Sequence, residues 1–381
     1  MIRNLIACML FTLAPLARSA DDLAPAHTDI TPESVAAVGR ALEFLAAHQD
    51  PDSGAWISDV GYKLNQNYEL TAVNKPHVGV TALAGLAFLS AGHLPSRGKY
   101  GAGLGRATDY LLGRVGEDGY ISDNGSRMYS HAFATLFLAE VYGMTDRSDV
   151  RSKLQNAVDF IVDCQNELGS WRYEPFAAES DMSITVCQLN ALRAARNVGI
   201  RVPRSTIDRA AEYVAQSYVS SAGNGGQWQS YYALERGSFR YQAQSFTRSS
   251  FALTAAGLAA LHNAGINGLR FKSASVGEID LNHSISFLRE TYDRVSANSR
   301  SNYAFHYFYW YGHYYATQAL YVIGGEAWRE YYPMIQGEIL DNQLSDGSFP
   351  TGTAGPGKNF STAMGAIILS LPYGYLPIFQ R

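Results

Sequence analysis

The chain of 381 residues is poor in cysteine, poor in charge and without any excess of positive charge. Three Cys cannot build a disulfide framework, so stability has to come from a packed core. With 47% hydrophobic and 17% charged residues, the chain lies inside the globular range and outside the disordered one. Lys and Arg number 30 against 34 Asp and Glu, a formal charge of −4, so there is no global basic field to grip phosphate backbones and nucleic acid is not an expected partner. No Gly-rich phosphate loop, no Cys or His set at metal spacing and no Gly-x-Ser-x-Gly elbow occurs, so neither a metal nor a cofactor is expected. Beyond the first twenty residues no apolar run is long enough to cross a bilayer, so no membrane span is expected in the mature chain.

The first twenty residues are different. Arg3 precedes the apolar run Leu5 to Leu16, and Ala17-Arg18-Ser19 offers small residues where a signal peptidase reads, so residues 1–19 are expected to be a cleaved export signal. The run of 12 residues falls short of a membrane anchor, and its position after Cys8 argues against a lipoprotein signal. Cleavage removes Arg3 and Arg18, taking the charge from −4 to −6 and leaving an exported, periplasmic or secreted, protein. Of the cysteines, Cys164 and Cys187 remain, either as two buried thiols or as one disulfide between neighbouring helices.

The chain repeats itself. Arg40-Ala41-x-x-Phe44-Leu45 leads to Gln49 and Gly54-Ala55-Trp56, and Arg106-Ala107-x-x-Tyr110-Leu111 to Gly119-Tyr120. Asn156-Ala157-x-x-Phe160-Ile161 leads to Gln165 and Gly169-Ser170-Trp171, and Arg209-Ala210-x-x-Tyr213-Val214 to Gly226-Gln227-Trp228. A fifth copy opens at His283 without a clear glycine and tryptophan, and a sixth runs from Gln336 to Gln343, Gly347 and Phe349. The motif starts carry apolar residues at helical spacing with charges opposite, as surface helices do. Each is followed by an apolar, small-residue-rich segment that reads as a buried helix: 78–91, 130–142, 182–198, 249–264, 312–323 and 360–371. Six outer-inner pairs at intervals of about 50 to 65 residues bury their inner set by closing into a ring, and the apolar last segment favours closure over an open stack with polar caps. The expected architecture is all-α, a single (α/α)6 toroid over residues 31–381, with residues 20–30 a flexible lead-in.

These copies resemble the QW motif of the squalene and oxidosqualene cyclases, and more widely the terpenoid cyclase and protein prenyltransferase superfamily of α/α toroids. The resemblance implies the barrel fold and a central cavity for an apolar or isoprenoid-like ligand. The acidic Asp-x-Asp-Asp-Thr motif of those cyclases is matched by Glu179-Ser180-Asp181-Met182-Ser183, which places Asp181 at the proton-donating aspartate and Met182 where a further aspartate belongs. The prenyltransferase zinc set begins with Asp-x-Cys, which is absent, as is the Gly-Cys-Gly-Glu-Gln of thioester toroids.

Two readings of Asp181 follow: a degenerate general acid, or an N-cap of the third inner helix that accepts from the amides of residues 183 or 184. Aligning Ala134-Thr135 with Ala316-Thr317 pairs Tyr129 with Tyr311 and His131 with His313, a Tyr-x-His on two opposite hairpins. Their axes lie roughly 16 to 20 Å apart, too far for both histidines to hold one metal. The candidate site is therefore the mouth formed by inner-helix starts, with Asp181 as candidate catalytic residue and Tyr129, His131, Arg248, Tyr311 and His313 as candidate ligand contacts, unless the histidines are only wedged between helix ends. The expected function is an exported cyclase-like toroid that binds or cyclises an apolar small molecule. The rivals are a non-catalytic scaffold for a protein or polysaccharide of the cell envelope, and a polysaccharide-degrading enzyme on the same barrel. The depth of the central cavity discriminates between a ligand pit and a filled core.

Overall fold

The computed structural model describes residues 29–64, 67–221, 234–244, 247–297, 307–352 and 354–380. Within them the chain forms twelve α-helices in six pairs: α1 (Pro32–Ala47) and α2 (Val78–Ser90), α3 (Gly101–Gly113) and α4 (Met128–Tyr142), α5 (Ser148–Asp163) and α6 (Met182–Asn197), α7 (Arg204–Gln216) and α8 (Phe251–Asn263), α9 (Asn282–Thr291) and α10 (Tyr307–Ile323), α11 (Gly325–Asp341) and α12 (Lys358–Ser370). Each even-numbered helix packs against the next even-numbered one, and α12 returns to α2, so the inner set is a closed ring. The protein is an all-α toroid. All thirteen residues of α2 are buried, as a helix walled in on every side demands, whereas α7 buries Thr206, Ile207, Ala210, Tyr213, Val214 and Ala215, a single stripe.

The repeat residues are the fastening between neighbouring outer helices. Trp171 is buried and its Nε1 donates to the Ile161 carbonyl at 2.7 Å, while Trp56 does the same to Leu45 at 2.8 Å. Gln165 Nε2 donates both to Gly169 O and, across the gap, to Thr206 O at the start of α7, each at 3.0 Å. Arg209 of the next copy donates back to Gln165 Oε1. Gly169 has φ +82°, and a Cβ there would stand 2.5 Å from the Arg209 carbonyl oxygen, so the close approach requires glycine. The same fastening joins the ends of the chain: Gln343 Nε2 donates to Gly347 O and to Ala37 O at 2.8 Å, and Gly347 lies against Arg40.

Three features depart from the sequence reading. In the fourth copy the glycine against the next helix is Gly237, which faces His283, and Phe239 stands at the aromatic position; the expected Gly226-Gln227-Trp228 lies outside the described residues. Two short antiparallel hairpins, β1 (Ile57–Leu64) with β2 (Asn67–Pro76) and β3 (Arg270–Ser273) with β4 (Gly277–Asp280), decorate the helical ring. The end of the lead-in is fastened, since Asp29 accepts from Trp328 Nε1 and Gln336 Nε2 on α11, both at 2.7 Å; residues 1–28 lie outside the described residues. Cys164 and Cys187 are both buried free thiols.

Candidate functional site

A threonine recurs in every inner helix, four residues after His77, His131, Asp181, Ser250, His313 and Lys358: Thr81, Thr135, Thr185, Thr254, Thr317 and Thr362, all fully buried. In four copies its hydroxyl accepts the backbone N–H of the motif aromatic, Trp56, Trp171, Phe239 or Phe349, at 3.0 to 3.4 Å. In these four copies the bond ties the rotation of the inner helix to the motif and so bears on which residues reach the mouth.

Four residues before Thr185 stands Asp181, fully buried, with φ −152° and ψ 124°. Its Oδ1 accepts from Ser183 N at 2.7 Å and Ile184 N at 3.3 Å, and its Oδ2 accepts from Arg172 Nη1 at 3.1 Å. The carboxylate is an N-cap and half of an ion pair, with both oxygens engaged. Of the two readings of Asp181, this geometry is that of the cap.

Two of the expected ligand contacts converge on the same turn. Tyr129 donates to Ser183 Oγ at 2.7 Å, and Tyr311 donates to the Ser183 carbonyl at 3.0 Å from the other side of the ring. Around them lies a cluster that the sequence reading missed. Tyr173 and Tyr241 share a hydrogen bond between their hydroxyls, Arg172 stacks on Tyr173 at 4.7 Å, and Tyr173 stacks on Tyr129 at 5.9 Å. Arg248, exposed, lies 5.4 Å from the Tyr241 ring and 5.0 Å from Phe308, with no ion pair to a described residue. Burial, then the Asp181 charge, pushes the Tyr173 and Tyr241 hydroxyls well above the usual phenol range, so both stay neutral hydrogen-bonding groups.

His131 and His313 are corrections to the expected mouth. His131 Nδ1 accepts from Ile121 N at 3.0 Å, so its Nε2–H donates to the Ala157 carbonyl on α5 at 3.2 Å. It performs in the second copy the task threonine performs elsewhere, holding the backbone at the motif position. His313 Nδ1 pairs with the Tyr331 hydroxyl on α11 at 2.9 Å. Both rings are fully buried and turned outward, and burial lowers each to about 4, so they are neutral. The physical reason is the spacing itself: in Tyr-x-His the two side chains lie about 200° apart around a helix, so a tyrosine aimed at the axis sends its histidine to the outer layer.

At the level of Tyr314, side chains meet across the axis. Tyr314 of α10 meets Phe133 of the opposite helix α4 with ring centroids 6.1 Å apart, and Tyr315 holds Cys187 through its hydroxyl at 3.2 Å. A cavity of about 320 Å³ opens elsewhere, outside the ring, between Tyr218, Arg236, Arg270, Asp280 and His283. Among the described residues no three His, Cys, Asp or Glu side chains come together as a metal-holding group, and no helix is long and apolar enough to cross a membrane.

No protein-family model matches the sequence, and no curated sequence matches it. Solved structures do. A cellobiose 2-epimerase from Spirochaeta thermophila superposes with a TM-score of 0.59 at 12% identity, covering 87% of this chain and 93% of that one. An inactive variant of an α-1,6-mannanase of Salegentibacter reaches 0.57 at 8% identity over 88% and 98%. A type II terpene cyclase from Scytonema reaches 0.54 at 14% identity over 91% and 100%. At these identities the likeness is one of fold, and fold does not carry activity. The chain thus has an α/α-toroid fold, the fold of this epimerase, this mannanase and this terpene cyclase.

Proposed function

We propose that this toroid is an exported, non-catalytic binding protein that takes a hydroxyl-rich, acidic polysaccharide of the cell envelope at the mouth formed by its inner-helix starts. The observation that carries this reading is the pairing of an axis crossed by side chains with a polar, ring-rich rim: Tyr314 and Phe133 meet across the centre, while Tyr129, Tyr173, Tyr241, Arg172 and Arg248 gather at one end. Phenol faces stack on the C–H faces of sugar rings and their hydroxyls exchange hydrogen bonds with sugar hydroxyls, while guanidinium groups fork onto carboxylates. Arg248 is the group best placed for the last role, being exposed and held against Tyr241 and Phe308 without an acidic partner among the described residues.

The cyclase reading requires a pit for an apolar chain and a carboxyl free to give up a proton. Asp181 spends its oxygens on the α6 amides and on Arg172, and the centre holds side chains. The test is titration of the purified chain with polygalacturonate and with neutral dextran. Polygalacturonate should bind, dextran should bind more weakly, and Arg248→Ala should weaken the acidic ligand by about tenfold with an unchanged melting temperature, as loss of one charge-assisted contact implies. Equal binding of both glycans by the wild type and Arg248→Ala, or turnover of squalene that Asp181→Asn abolishes, would overturn the proposal.

A further inference from the structure

The opposite end of the ring is closed by the chain's own last residues. After α12 the backbone turns at Gly374, φ +70°, passes Tyr375 over Gly92 at the end of α2, and lays Leu376, Ile378 and Phe379 across the inner helices, each 6% exposed or less. Phe379 meets Tyr314 at 6.2 Å, and Ile378 and Phe379 roof a pocket of about 10 Å³ against α8 and α10, the size of one water.

Beneath this tail lies a polar socket that the proposed function does not use. Glu140 of α4 is 2% exposed, and its Oε2 has no hydrogen-bond partner among the described residues; the Asn190 side chain on α6 and the Tyr314 hydroxyl on α10 lie against each other nearby. Asn263 of α8 is tied to this socket through Asn190 Oδ1 at 3.0 Å, and Gln318 through the Tyr314 carbonyl at 3.1 Å. Four walls of the ring thus send polar groups to one buried place under the tail. Among the described residues no cation faces the Glu140 carboxyl. The Tyr314 phenol on α10 faces it, with the Cys187 thiol on α6 beyond that phenol; His262 on α8 stands at the edge of the small pocket with Arg193 near it, and the tail itself offers the Ile378 N–H. A neutral carboxyl fits this environment and an ionised one does not.

We propose that the C-terminal segment 371–380 is a proton-linked stopper: it docks over Glu140 in its protonated form and loosens when that carboxyl ionises, exposing Ile378 and Phe379 and the lower end of the ring. Burial, outweighing the opposing effect of the Ile378 N–H, raises the Glu140 carboxyl from 4.5 to about 8. A raised folded value means that the docked state holds a proton the released state gives up, so docking is strongest at low pH and fades as pH rises through about 8.

Hydrogen exchange of the tail amides of the full chain, corrected for intrinsic rate, tests this. Between about pH 6.5 and about pH 9, protection of Ile378 to Gln380 should fall by at least about tenfold, while amides of α2 and α12 keep theirs, and Glu140→Gln should remove the fall. Equal protection of the wild-type tail at both pH values would overturn the proposal, as would an equally large fall in Glu140→Gln. If the glutamine variant fails to fold, the wild-type comparison of tail with α2 and α12 still decides, because parallel loss in all three would be global unfolding and would also overturn it.

Discussion

The second and fifth hairpins of the ring share the same Tyr-x-His start but are fastened in different ways to the copy that follows. After the second, Gly119 lies against the Asn156 carbonyl, as Gly54, Gly169, Gly237 and Gly347 lie against their neighbours. At the fifth there is no such glycine among the described residues. Instead Glu338 of α11, 6% exposed, reaches back and accepts from the Tyr292 hydroxyl at 3.1 Å, the Ser296 hydroxyl at 2.7 Å and the Ala297 amide. His313 stacks with Tyr331 at 6.1 Å and meets Tyr309 edge-to-face at 4.6 Å in the same place. One kind of junction is made of backbone brought into contact; the other is a buried carboxylate surrounded by donors. The first tolerates little change in shape, and the second little change in polarity.

The largest break should come at a backbone-type junction. Trp171→Ala is expected to cost about 3 to 5 kcal/mol in chemical denaturation, from lost burial and the cavity left between α5 and α7. A loss below about 1 kcal/mol would mean that the repeat tryptophan fills space without fastening anything.

Next is the odd junction. Glu338→Ala should cost about 3 kcal/mol, because it strands two buried hydroxyls and an amide, whereas Gln165→Ala, which frees two carbonyls near solvent, should cost about 1 kcal/mol. Equal costs would erase the distinction between the two kinds of junction.

The smallest effect near neutrality is shared by both hairpins and appears only in acid. His131 and His313 have folded values near 4 against an ordinary 6.5, so the unfolded chain binds more protons between these values. Stability from each is fully present above about pH 6.5 and is lost as pH falls towards 4. Proton uptake on unfolding at about pH 5, measured by calorimetry in buffers of different ionisation enthalpy, should drop by about one in His131→Gln and in His313→Gln. An unchanged uptake in either variant would place that histidine in water.

The ring was legible in the sequence because its repeats are fastenings, and Gly169 or Gln165 can serve only if every copy keeps its spacing. The fourth copy misled because the stretch around Trp228 offers Gly226 before a tryptophan, while the glycine that meets His283 is Gly237 and its aromatic is Phe239. The strand pairs were hidden because Val60, Tyr62, Tyr68 and Thr71 occur in a short run between two strong helical signals. At the mouth, Asp181, Tyr129 and Tyr311 were found as helix starts and do meet at Ser183. Arg172, Tyr173 and Tyr241 were missed because they sit on connections, where no periodicity assigns a direction. His131 and His313 were misplaced through neglect of a half-turn, and the threonine four residues later in every inner helix was the available signal.

The bond from Gln343 to the Ala37 carbonyl spans 306 positions of the sequence. In a stack with free ends each repeat is stabilised as soon as its predecessor exists, but here the first helix waits for the last. The seam between copy six and copy one therefore makes ring closure an event of high contact order, with the entropy of a very long loop to overcome before α1 gains its second neighbour. Synthesis from one end gives an open arc until the final repeat arrives, so the half-made chain exposes the faces of α1 and of its latest inner helix together. A circular permutant cut at another junction would move that seam without changing a single contact in the finished ring.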